Sequence, residues 1–439
     1  MNYDWCQKEL SEIADVIDPH PSHRAPKSVS HGFSFAGIGD IDEYGNINHQ
    51  KARQISEEFV IQQENSYQIN SHTIGYGRVG TVGKVVKLKK QPYRYALSPT
   101  LAVINPKKDI DPYFLFYSIK SQTFFNKVES RMTGTTRPAI GIQLLRKITI
   151  KVPSIEIQKK VGFILSTLDS KIELNKKIDQ TLESIAQAIF KSWFVDFDPV
   201  HAKANAQSED EYDAIAKELG ISREILDLFP SEFEESELGL IPKGWEVKSL
   251  DQVAHFQNGL ALQKFRPKGK SFLPVLKIAQ LKRGYCDDEE KADVNIKEEC
   301  IVDSGDVIFS WSGSLIVDIW CSGKAALNQH LFKVTSNTFP KWFYYFWVVE
   351  HLKKFQAIAA DKAVTMGHIK RSHLTEAKCL IPPKSLLFKV DIIIKSLIDS
   401  LINTRLENIN LERCKEKLLP KLLSGEIDVS NLNLGPEHD

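Results

Sequence analysis

The sequence predicts an α+β protein in which two mixed α/β domains, related by an internal repeat, are joined by two long antiparallel helices that form a coiled coil. Three observations lead to this prediction. The 439-residue chain matches itself at a shift of 229 residues, each copy carries short β-rich runs broken by Gly and Pro, and each copy ends in a long stretch with heptad spacing. A chain of this length also exceeds one ordinary hydrophobic core.

The repeat is carried by apolar residues, prolines and charged residues at matching positions. Thr136, Ile140, Leu145, Pro153, Lys160, Val161, Ile164, Leu168, Leu182 and Glu183 fall on Thr365, Ile369, Leu374, Pro382, Lys389, Val390, Ile393, Leu397, Leu411 and Glu412. Upstream, the aromatic run 113–117 falls on the aromatic run 342–346. Each half is therefore expected to be a mixed α/β domain followed by a long helix.

A proline opens the heptad pattern in each copy. The first seam reads Val161, Leu165, Leu168, Ile172, Asn175, Asp179, Leu182, Ala186, Ile189 and Trp193, and the second reads Val390, Ile394, Leu397, Leu401, Thr404, Asn408, Leu411, Lys415, Leu418 and Leu422. Both seams are polar in the middle, at Asn175 and Asp179 and at Thr404 and Asn408. Because polar seam positions fix register and partner choice, we predict that the two helices pair with each other. The alternative is two amphipathic helices, each packed on its own domain.

The pattern also predicts domain boundaries. We expect a first domain over residues 1–152, a central long helix over 153–197, an acidic linker with a short helix near Glu211 to Leu219 over 198–240, a second domain over 241–380, a C-terminal long helix over 381–427 and a tail over 428–439.

The formal net charge of +1 conceals a segregation of charge along the chain. The segment from Ala206 to Gly239 holds eleven acidic and two basic residues, a net −9, so the remainder carries +10. Residues 65–108 contain eight Lys and Arg and no acid, and residues 130–155 contain five and no acid. Such basic segments permit binding of an anionic polymer, although charge runs are often just solvated faces.

Cysteine usage and hydropathy favour a cytoplasmic protein. The six cysteines include no CxxC pair and no metal-ligand spacing, so we expect reduced thiols and no structural zinc. The N-terminus lacks the basic and apolar regions of a signal peptide, and the longest apolar stretch, Trp342 to Val349, is too short to span a bilayer. No membrane association is expected.

Two short motifs point towards an enzyme. Phe35 to Asp40 (FAGIGD) has the look of the glycine-rich methionine-cofactor loop of DNA methyltransferases, and Asp111 to Phe114 (DPYF) resembles their Asp-Pro-Pro-Tyr catalytic loop. However, one proline is missing, no long hydrophobic strand precedes Phe33, and the repeat places Pro340-Lys341-Trp342 opposite the second motif. We favour ordinary strand and turn residues at both places.

The absence of HExxH, GxSxG, Walker and paired Cys/His motifs favours a binding protein, with no catalytic, cofactor-binding or metal-binding residue. Loops rich in Gly, hydroxyl, amide, Arg and aromatic groups suit DNA, because Arg and Ser/Thr reach base edges and Lys suits phosphates. The first-domain candidates are Tyr76, Arg78, Thr81, Lys84, Lys89, Lys90, Arg94, Thr135, Thr136 and Arg137. The second-domain candidates are Ser310, Trp311, Ser312, Ser314, Thr365, His368, Lys370 and Arg371. Glycine turns of any α/β domain are the alternative.

Three segments carry a resemblance to a known family. They are residues 182–200 (LESIAQAIFKSWFVDFDPV), 236–245 (SELGLIPKGW) and 418–427 (LLPKLLSGEI). They resemble the central region, the opening of the second target-recognition domain and the C-terminal region of the DNA-specificity (S) subunits of type I restriction-modification systems. The two-copy layout covers essentially the whole chain. The first copy departs from the pattern, since no Ile-Pro-x-Gly-Trp segment precedes residue 30.

The resemblance implies a non-catalytic subunit of a bacterial defence complex. Each target-recognition domain would read one half of a bipartite site in double-stranded DNA, and the paired helices would set the spacer. It also implies two modification (M) subunits docked on the helices, with S-adenosylmethionine for adenine N6 methylation. Restriction (R) subunits would add ATP- and Mg2+-dependent translocation and cleavage, and no cofactor would bind this chain.

Two other functions remain open at this point. One is a self-contained DNA adenine N6-methyltransferase that uses residues 35–40 and 111–114. The other is a coiled-coil scaffold with two domains that bind no nucleic acid.

Overall fold

The chain forms two compact units in a computed structural model that describes residues 5–20, 26–42, 45–134, 136–206, 208–287, 289–361 and 367–434. The first unit comprises Met1–Ile172 with Leu411–Asp439, and the second comprises Glu173–Asn410. Each unit therefore contains one copy of the repeat together with part of both long helices.

The first copy contains nine strands and six α-helices among its described residues. The strands are β1 (Cys6–Glu9), β2 (Ala14–Ile17), β3 (Phe33–Ala36), β4 (Arg53–Ile55), β5 (Ile74–Gly77), β6 (Val85–Lys87), β7 (Tyr95–Leu97), β8 (Leu101–Pro106) and β9 (Thr149–Val152). The helices are α1 (Leu10–Ile13), α2 (Glu57–Glu64), α3 (Pro112–Lys120), α4 (Gln122–Glu129), α5 (Ile142–Arg146) and the long α6 (Ile155–Phe194).

The second half begins with the segment predicted to be a linker. It contains α7 (Asp198–Asn205), α8 (Glu209–Glu218), α9 (Arg223–Asp227), β10 (Phe233–Ser236) and β11 (Gly239–Pro242). The strands of the second copy are β12 (Glu246–Ser249), β13 (His255–Asn258), β14 (Leu273–Leu276), β15 (Lys291–Ala292), β16 (Ile301–Val302), β17 (Val307–Ser310), β18 (Val317–Ile319), β19 (Ala325–Leu327), β20 (Leu331–Thr335) and β21 (Lys378–Ile381). Its helices are α10 (Leu250–Val253), α11 (Ile278–Arg283), α12 (Lys341–Ala360), α13 (Arg371–Glu376) and the long α14 (Lys384–Ser424).

The main antiparallel sheet has the same topology in the two copies. The first unit has an antiparallel sheet in the order β2-β8-β5-β6, and the second has one in the order β13-β20-β17-β18. A second sheet accompanies each, with three strands ordered β4-β3-β7 in the first unit and four strands ordered β15-β14-β19-β16 in the second. Strands β3 and β7 are parallel, as are β14 and β19. The internal repeat predicted from the sequence is confirmed.

In each domain, the first strand pairs antiparallel with the last strand. Strand β1 pairs with β9, and β12 pairs with β21. The amide of Leu10 donates to the carbonyl of Ile148, and that of Leu250 donates to the carbonyl of Ala377, both at 2.8 Å. The first domain therefore has the same opening strand as the second, with Trp5 where the second has Trp245.

An aromatic helix lies at the centre of each core. In the first unit, Phe114, Leu115 and Tyr117 of α3 are buried. In the second, α12 is apolar on every side from Trp342 to Val349, and seven of these residues are buried. A helix that is apolar all round is stable only inside a core, which explains the position of this run.

The two long helices pair through the predicted seam. Every seam residue of both helices is buried or half-buried. In the second unit, Asn175 Nδ2 donates to Asn408 Oδ1 at 3.0 Å, and Thr404 Oγ1 donates to Asp179 Oδ1. Because the residue numbers rise on one helix as they fall on the other, the helices are antiparallel. The coiled-coil prediction is confirmed, and the role of these four residues in fixing register stays a prediction.

A half-buried carboxylate, Asp169, lies beside the seam in the first unit. Asp169 accepts hydrogen bonds from Lys415 Nζ and from the Tyr117 hydroxyl, both at 2.6 Å. Burial alone would raise the pKa of Asp169, but these hydrogen bonds and the charge of Lys415 outweigh burial and lower it. The Asp169 carboxylate thus joins both long helices to the aromatic core of the first domain.

The acidic segment is folded and forms part of the second unit. The short helix predicted near Glu211 to Leu219 is α8. Arg223 forms ion pairs with Glu209, Asp213 and Asp227 at 2.7 to 3.1 Å. Beyond α9, Phe229 is buried against Trp193 of α6. Arg223 therefore joins three of the acidic side chains, and the segment packs on the helical core.

Among the residues that the structure describes, no helix combines the length and apolar character needed to cross a membrane.

Candidate nucleic-acid interface

In the first unit, the two predicted DNA-binding loops lie side by side. The amide of Ile140 donates to the carbonyl of Arg78, and the amide of Gly80 donates to the carbonyl of Pro138, both at 2.9 Å. A β-bridge joins Val79 to Ala139. Backbone hydrogen bonds thus hold the end of β5 against the segment before α5.

The second unit repeats this arrangement residue for residue. The amide of Ile369 donates to the carbonyl of Trp311 at 3.0 Å, and the amide of Gly313 donates to the carbonyl of Gly367 at 2.8 Å. A β-bridge joins Ser312 to His368. The shift of 229 residues relates Ile140 to Ile369, so the two copies present the same pair of loops.

A third turn, which sequence reasoning missed, completes each loop group. In the first unit, the amide of Arg78 donates to the carbonyl of Thr100 at 2.8 Å. In the second, the amide of Trp311 donates to the carbonyl of His330 at 3.3 Å. The only available signal was position, since Ser98–Thr100 and Asn328–His330 directly precede the equivalent strands β8 and β20.

Glycine is required where the loop after β5 or β17 turns. Gly80 has φ +77° and Gly313 has φ +66°, in the left-handed region that residues with a Cβ atom rarely adopt. Both glycines donate the hydrogen bonds described above. The Gly-rich character that marked these loops in the sequence thus has a backbone cause.

Four predicted first-domain residues have structural roles. Tyr76 is fully buried in β5 against Phe124, and burial raises the pKa of its hydroxyl. The Arg78 guanidinium is buried and forms an ion pair with Asp18 at 2.7 Å. A buried side chain cannot reach a DNA groove from inside the sheet. Tyr76 and Arg78 therefore belong to the core of the domain.

The other two are held by neighbouring polar groups. Lys84 Nζ donates to the carbonyls of Ile38 and Ile41 at 2.9 and 2.7 Å. The Arg94 guanidinium is paired with Glu57 and Glu64. Their positive charge is used within the domain, which weakens the expectation that they bind phosphate.

The remaining described candidates of the first domain are exposed. They are Thr81, Lys89, Lys90, Thr136 and Arg137. Thr81 follows Gly80 and the pair Thr136 and Arg137 precedes Pro138, so these three lie at the tip of the two-loop ladder. Thr135 lies outside the described residues.

In the second domain, buried serines shape the loop. Ser310 is fully buried, and its hydroxyl donates to the carbonyls of Ser312 and Ser314 at 3.1 and 2.9 Å. Ser312 is also buried, and its Oγ lies 2.9 Å from His330 Nδ1. These two serines therefore position the loop and are not themselves exposed to a ligand.

A platform of rings lies beside this loop. Half-buried Trp311 contacts the rings of His330, Phe332 and His368, with centroids 5.9 to 6.3 Å apart. Arg371 lies over the Phe332 ring at 5.5 Å, and its Nη2 donates to the carbonyl of Phe256 at 3.1 Å.

The exposed candidates around the platform are Ser314, Lys370 and Arg371. Thr365 lies outside the described residues. The second domain thus surrounds half-buried aromatic and imidazole rings with exposed hydroxyl and basic groups.

The two methyltransferase-like motifs form local turns. Gly37 N donates to Asp40 Oδ2 at 2.8 Å, which closes the turn after β3. Asp111 accepts from Phe114 N at 2.7 Å and caps α3, with Pro112 in the first helical turn. Burial raises the pKa of the Asp111 carboxyl. An aspartate followed by proline at this place is an ordinary helix start.

Within the described part of the chain, no group of three His, Cys, Asp or Glu side chains is arranged to hold a metal ion.

Comparisons of the sequence with a family model and with individual relatives indicate the same family. The family described as "Type I restriction modification DNA specificity domain" matches twice, over residues 2–184 and 242–413. The MjaIX specificity subunit of Methanocaldococcus jannaschii is 27% identical over 341 residues, covering 75% of this chain and 72% of the relative. The HindI specificity subunit of Haemophilus influenzae is 26% identical over 377 residues, covering 76% and 81%.

A solved structure shares the fold. The type I restriction-modification S subunit from M. genitalium superposes with a TM-score of 0.55 at 14% identity, covering 96% of each chain. The two family matches together span most of the sequence and coincide with the two structural copies. The chain therefore belongs to the type I restriction-modification DNA specificity family.

Proposed function

We propose that this chain is the DNA-specificity subunit of a type I restriction-modification complex and that each of its two recognition domains, residues 1–152 and 241–380, reads one half of a split DNA site. The observation that carries this proposal is the duplicated loop group. Two equivalent domains present the same three backbone segments with matching hydrogen bonds at Ile140 and Ile369. The side chains on these segments differ, so two different half-sites are expected.

The exposed groups have the chemistry that DNA recognition requires. Arg137 carries the donors that pair with guanine O6 and N7, while Thr136 and Ser314 supply hydroxyls for either base edge. Lys89, Lys90 and Lys370 suit phosphate oxygens. We assign base contacts to the loop tips and phosphate contacts to the surrounding lysines.

The paired helices have a separate role in this proposal. α6 has 40 residues and α14 has 41, so each is about 60 Å long at 1.5 Å per residue. We propose that this pair sets the spacer between the half-sites and docks two modification subunits. The chain would be non-catalytic. S-adenosylmethionine, ATP and Mg2+ would then bind partner subunits, including restriction subunits where these are present.

Variants of the first domain test the assignment of its exposed residues. Arg137→Ala is expected to reduce discrimination at one base position by about 1–3 kcal/mol and to leave the salt dependence nearly unchanged. The double variant Lys89→Ala, Lys90→Ala is expected to weaken all sequences alike and to lower the slope of log K against log salt by about 2. Fluorescence anisotropy with labelled duplexes over a range of salt concentrations measures both.

Lys177→Ala provides the control, because Lys177 is an exposed α6 lysine paired only weakly with Glu173 on the same helix. DNA binding by the wild-type chain that is independent of salt would contradict the proposal and favour a scaffold. Measurable affinity of the purified chain for S-adenosylmethionine, abolished by Gly37→Ala, would instead favour a self-contained methyltransferase.

A further inference from the structure

The turn between β19 and β20, residues Asn328–His330, is held by backbone hydrogen bonds beside the Trp311 loop of the second domain. The amide of Asn328 donates to the carbonyl of Leu276 at 3.1 Å, and the amide of Gln329 donates to the carbonyl of Leu260 at 2.9 Å. Asn328 is buried, while Gln329 and His330 are half-buried. The turn therefore presents two polar side chains from a fixed backbone.

A chain of hydrogen bonds orients these side chains. Gln329 Nε2 lies 3.4 Å from His330 Nε2, and His330 Nδ1 lies 2.9 Å from the Oγ of buried Ser312. These contacts link the Gln329 amide, the His330 ring and the Ser312 hydroxyl into one hydrogen-bonded chain. Trp311 Nε1 also donates to the backbone carbonyl of Gln329 at 3.2 Å.

This geometry leaves the Gln329 amide a defined hydrogen-bonding edge. The contact with His330 orients the plane of the amide group, which carries an N–H donor beside the Oε1 acceptor. A side-by-side donor and acceptor on a glutamine side chain matches adenine, which presents the N6 donor and the N7 acceptor in the major groove.

The equivalent turn of the first domain lacks this edge. There, Pro99 and Thr100 take the places of Gln329 and His330, and the Ser98 and Thr100 hydroxyls lie 2.7 Å apart. Proline has no side-chain hydrogen-bonding group. The first half-site therefore serves as an internal control for any change at Gln329.

We infer that Gln329 is a base-reading residue of the second domain, selective for adenine, and that His330 and Ser312 are the positioning residues that orient its amide. This inference rests on the proposed function, and it names a residue outside the two loops that the sequence singles out.

The test is selection of DNA from a pool in which both half-sites are randomised, with the full chain purified together with the subunits it binds. Gln329→Ala is expected to lower the preference for adenine at one position of the second half-site about tenfold. The first half-site and the salt slope should not change. Gln329→Arg is expected to move the preference at that position from adenine to guanine, because Arg pairs with guanine O6 and N7.

His330→Ala should weaken the preference at the same position and at no other. Asn337→Ala is the matched control, since Asn337 is an exposed amide residue beyond the opposite end of β20 and should leave all preferences unchanged. Unchanged base preferences in Gln329→Ala, or an equal loss of affinity for every sequence, would overturn the inference while leaving split-site recognition intact. Absence of any base preference in the wild-type chain would overturn the proposed function itself.

Discussion

Replacing Arg405 with methionine is expected to lower the free energy of unfolding by about 3 kcal/mol at pH 7, because it leaves three carboxylates together without their cation. The Arg405 side chain is 22% exposed, and its guanidinium lies 2.7 Å from Asp318, 3.6 Å from Glu183 and 4.0 Å from Asp179. The effect lies at the lower end of the range for buried ion pairs, because Asp318 and Glu183 are each 35% exposed.

This cluster joins the helix pair to the second recognition domain. Arg405 lies on α14, Asp179 and Glu183 lie on α6, and Asp318 lies on β18. Tyr345 of α12 donates to Glu183 at 2.7 Å, and burial raises the pKa of its hydroxyl well above the usual value. Loss of the central cation therefore disturbs contacts among four elements of the second unit.

The loss in free energy of unfolding caused by Arg405→Met should depend on pH in a defined direction. Burial raises the pKa of Asp179 in the folded protein, against the opposing effects of Thr404 and Arg405. A carboxyl whose folded pKa lies above its unfolded value stabilises the fold at low pH, and this contribution is lost as pH rises through the folded pKa. Removing Arg405 raises the pKa of Asp179 further. The difference in free energy of unfolding between Arg405→Met and wild type should therefore become smaller as the pH is lowered.

Urea denaturation of the full chain between about pH 4 and pH 8 measures this behaviour. Lys395→Met is the matched control, since Lys395 is an exposed α14 residue 3.7 Å from Asp399, and it should change the free energy of unfolding by less than about 1 kcal/mol. Equal losses in the two variants, or an Arg405→Met deficit that does not vary with pH, would contradict the role of the cluster.

Exchange of residues 245–380 for the corresponding segment of the HindI relative is expected to change the second half-site alone. The segment begins next to β12 and ends within β21, and these strands pair with each other from Glu246 with Ile381 to Ser249 with Lys378. Adjacent entry and exit strands make the domain exchangeable without a change of chain path. The first half-site and the spacer should be retained, because residues 5–152 and both long helices are unchanged.

The exchange must preserve the packing of α12 on α6, where Phe190 contacts Phe346 and Trp347 with centroids 5.4 and 5.2 Å apart. DNA selection with the parent and the exchanged chain, each with its bound subunits, measures the outcome. The reciprocal exchange of residues 5–152 is the control and should change only the first half-site. A change in both halves after a single exchange would contradict separate reading by the two domains.

The features predicted best from the sequence are those with a strongly periodic pattern of apolar residues. The helix pairing followed from heptad positions, and polar Asn175 and Asn408 meet as the pattern predicts. The opening strand of the first domain was not matched to that of the second because the shift between the copies is not constant. The shift is 240 residues from Trp5 to Trp245 but 229 residues from Ile148 to Ala377. A comparison of the sequence with itself at a single shift of 229 residues therefore matches the later strands of the two domains but not their first strands.

The candidate site was predicted less completely, because residue type does not reveal burial or pairing. Arg78 looked suited to a base edge, yet it is paired with Asp18, which is 60 residues away in sequence. Tyr76 looked like a loop aromatic, yet it is fully buried. The His330 turn carries no motif and acquires its significance only from the neighbouring loops.

Selection of DNA from a fully randomised pool by the wild-type chain with its bound subunits tests split-site recognition most directly. Two short base-specific blocks are expected, separated by an unspecified spacer of fixed length, because two domains with matching loop groups are borne on one helix pair. A single contiguous block, or two blocks whose separation varies among the selected sequences, would contradict recognition by two domains at a set distance.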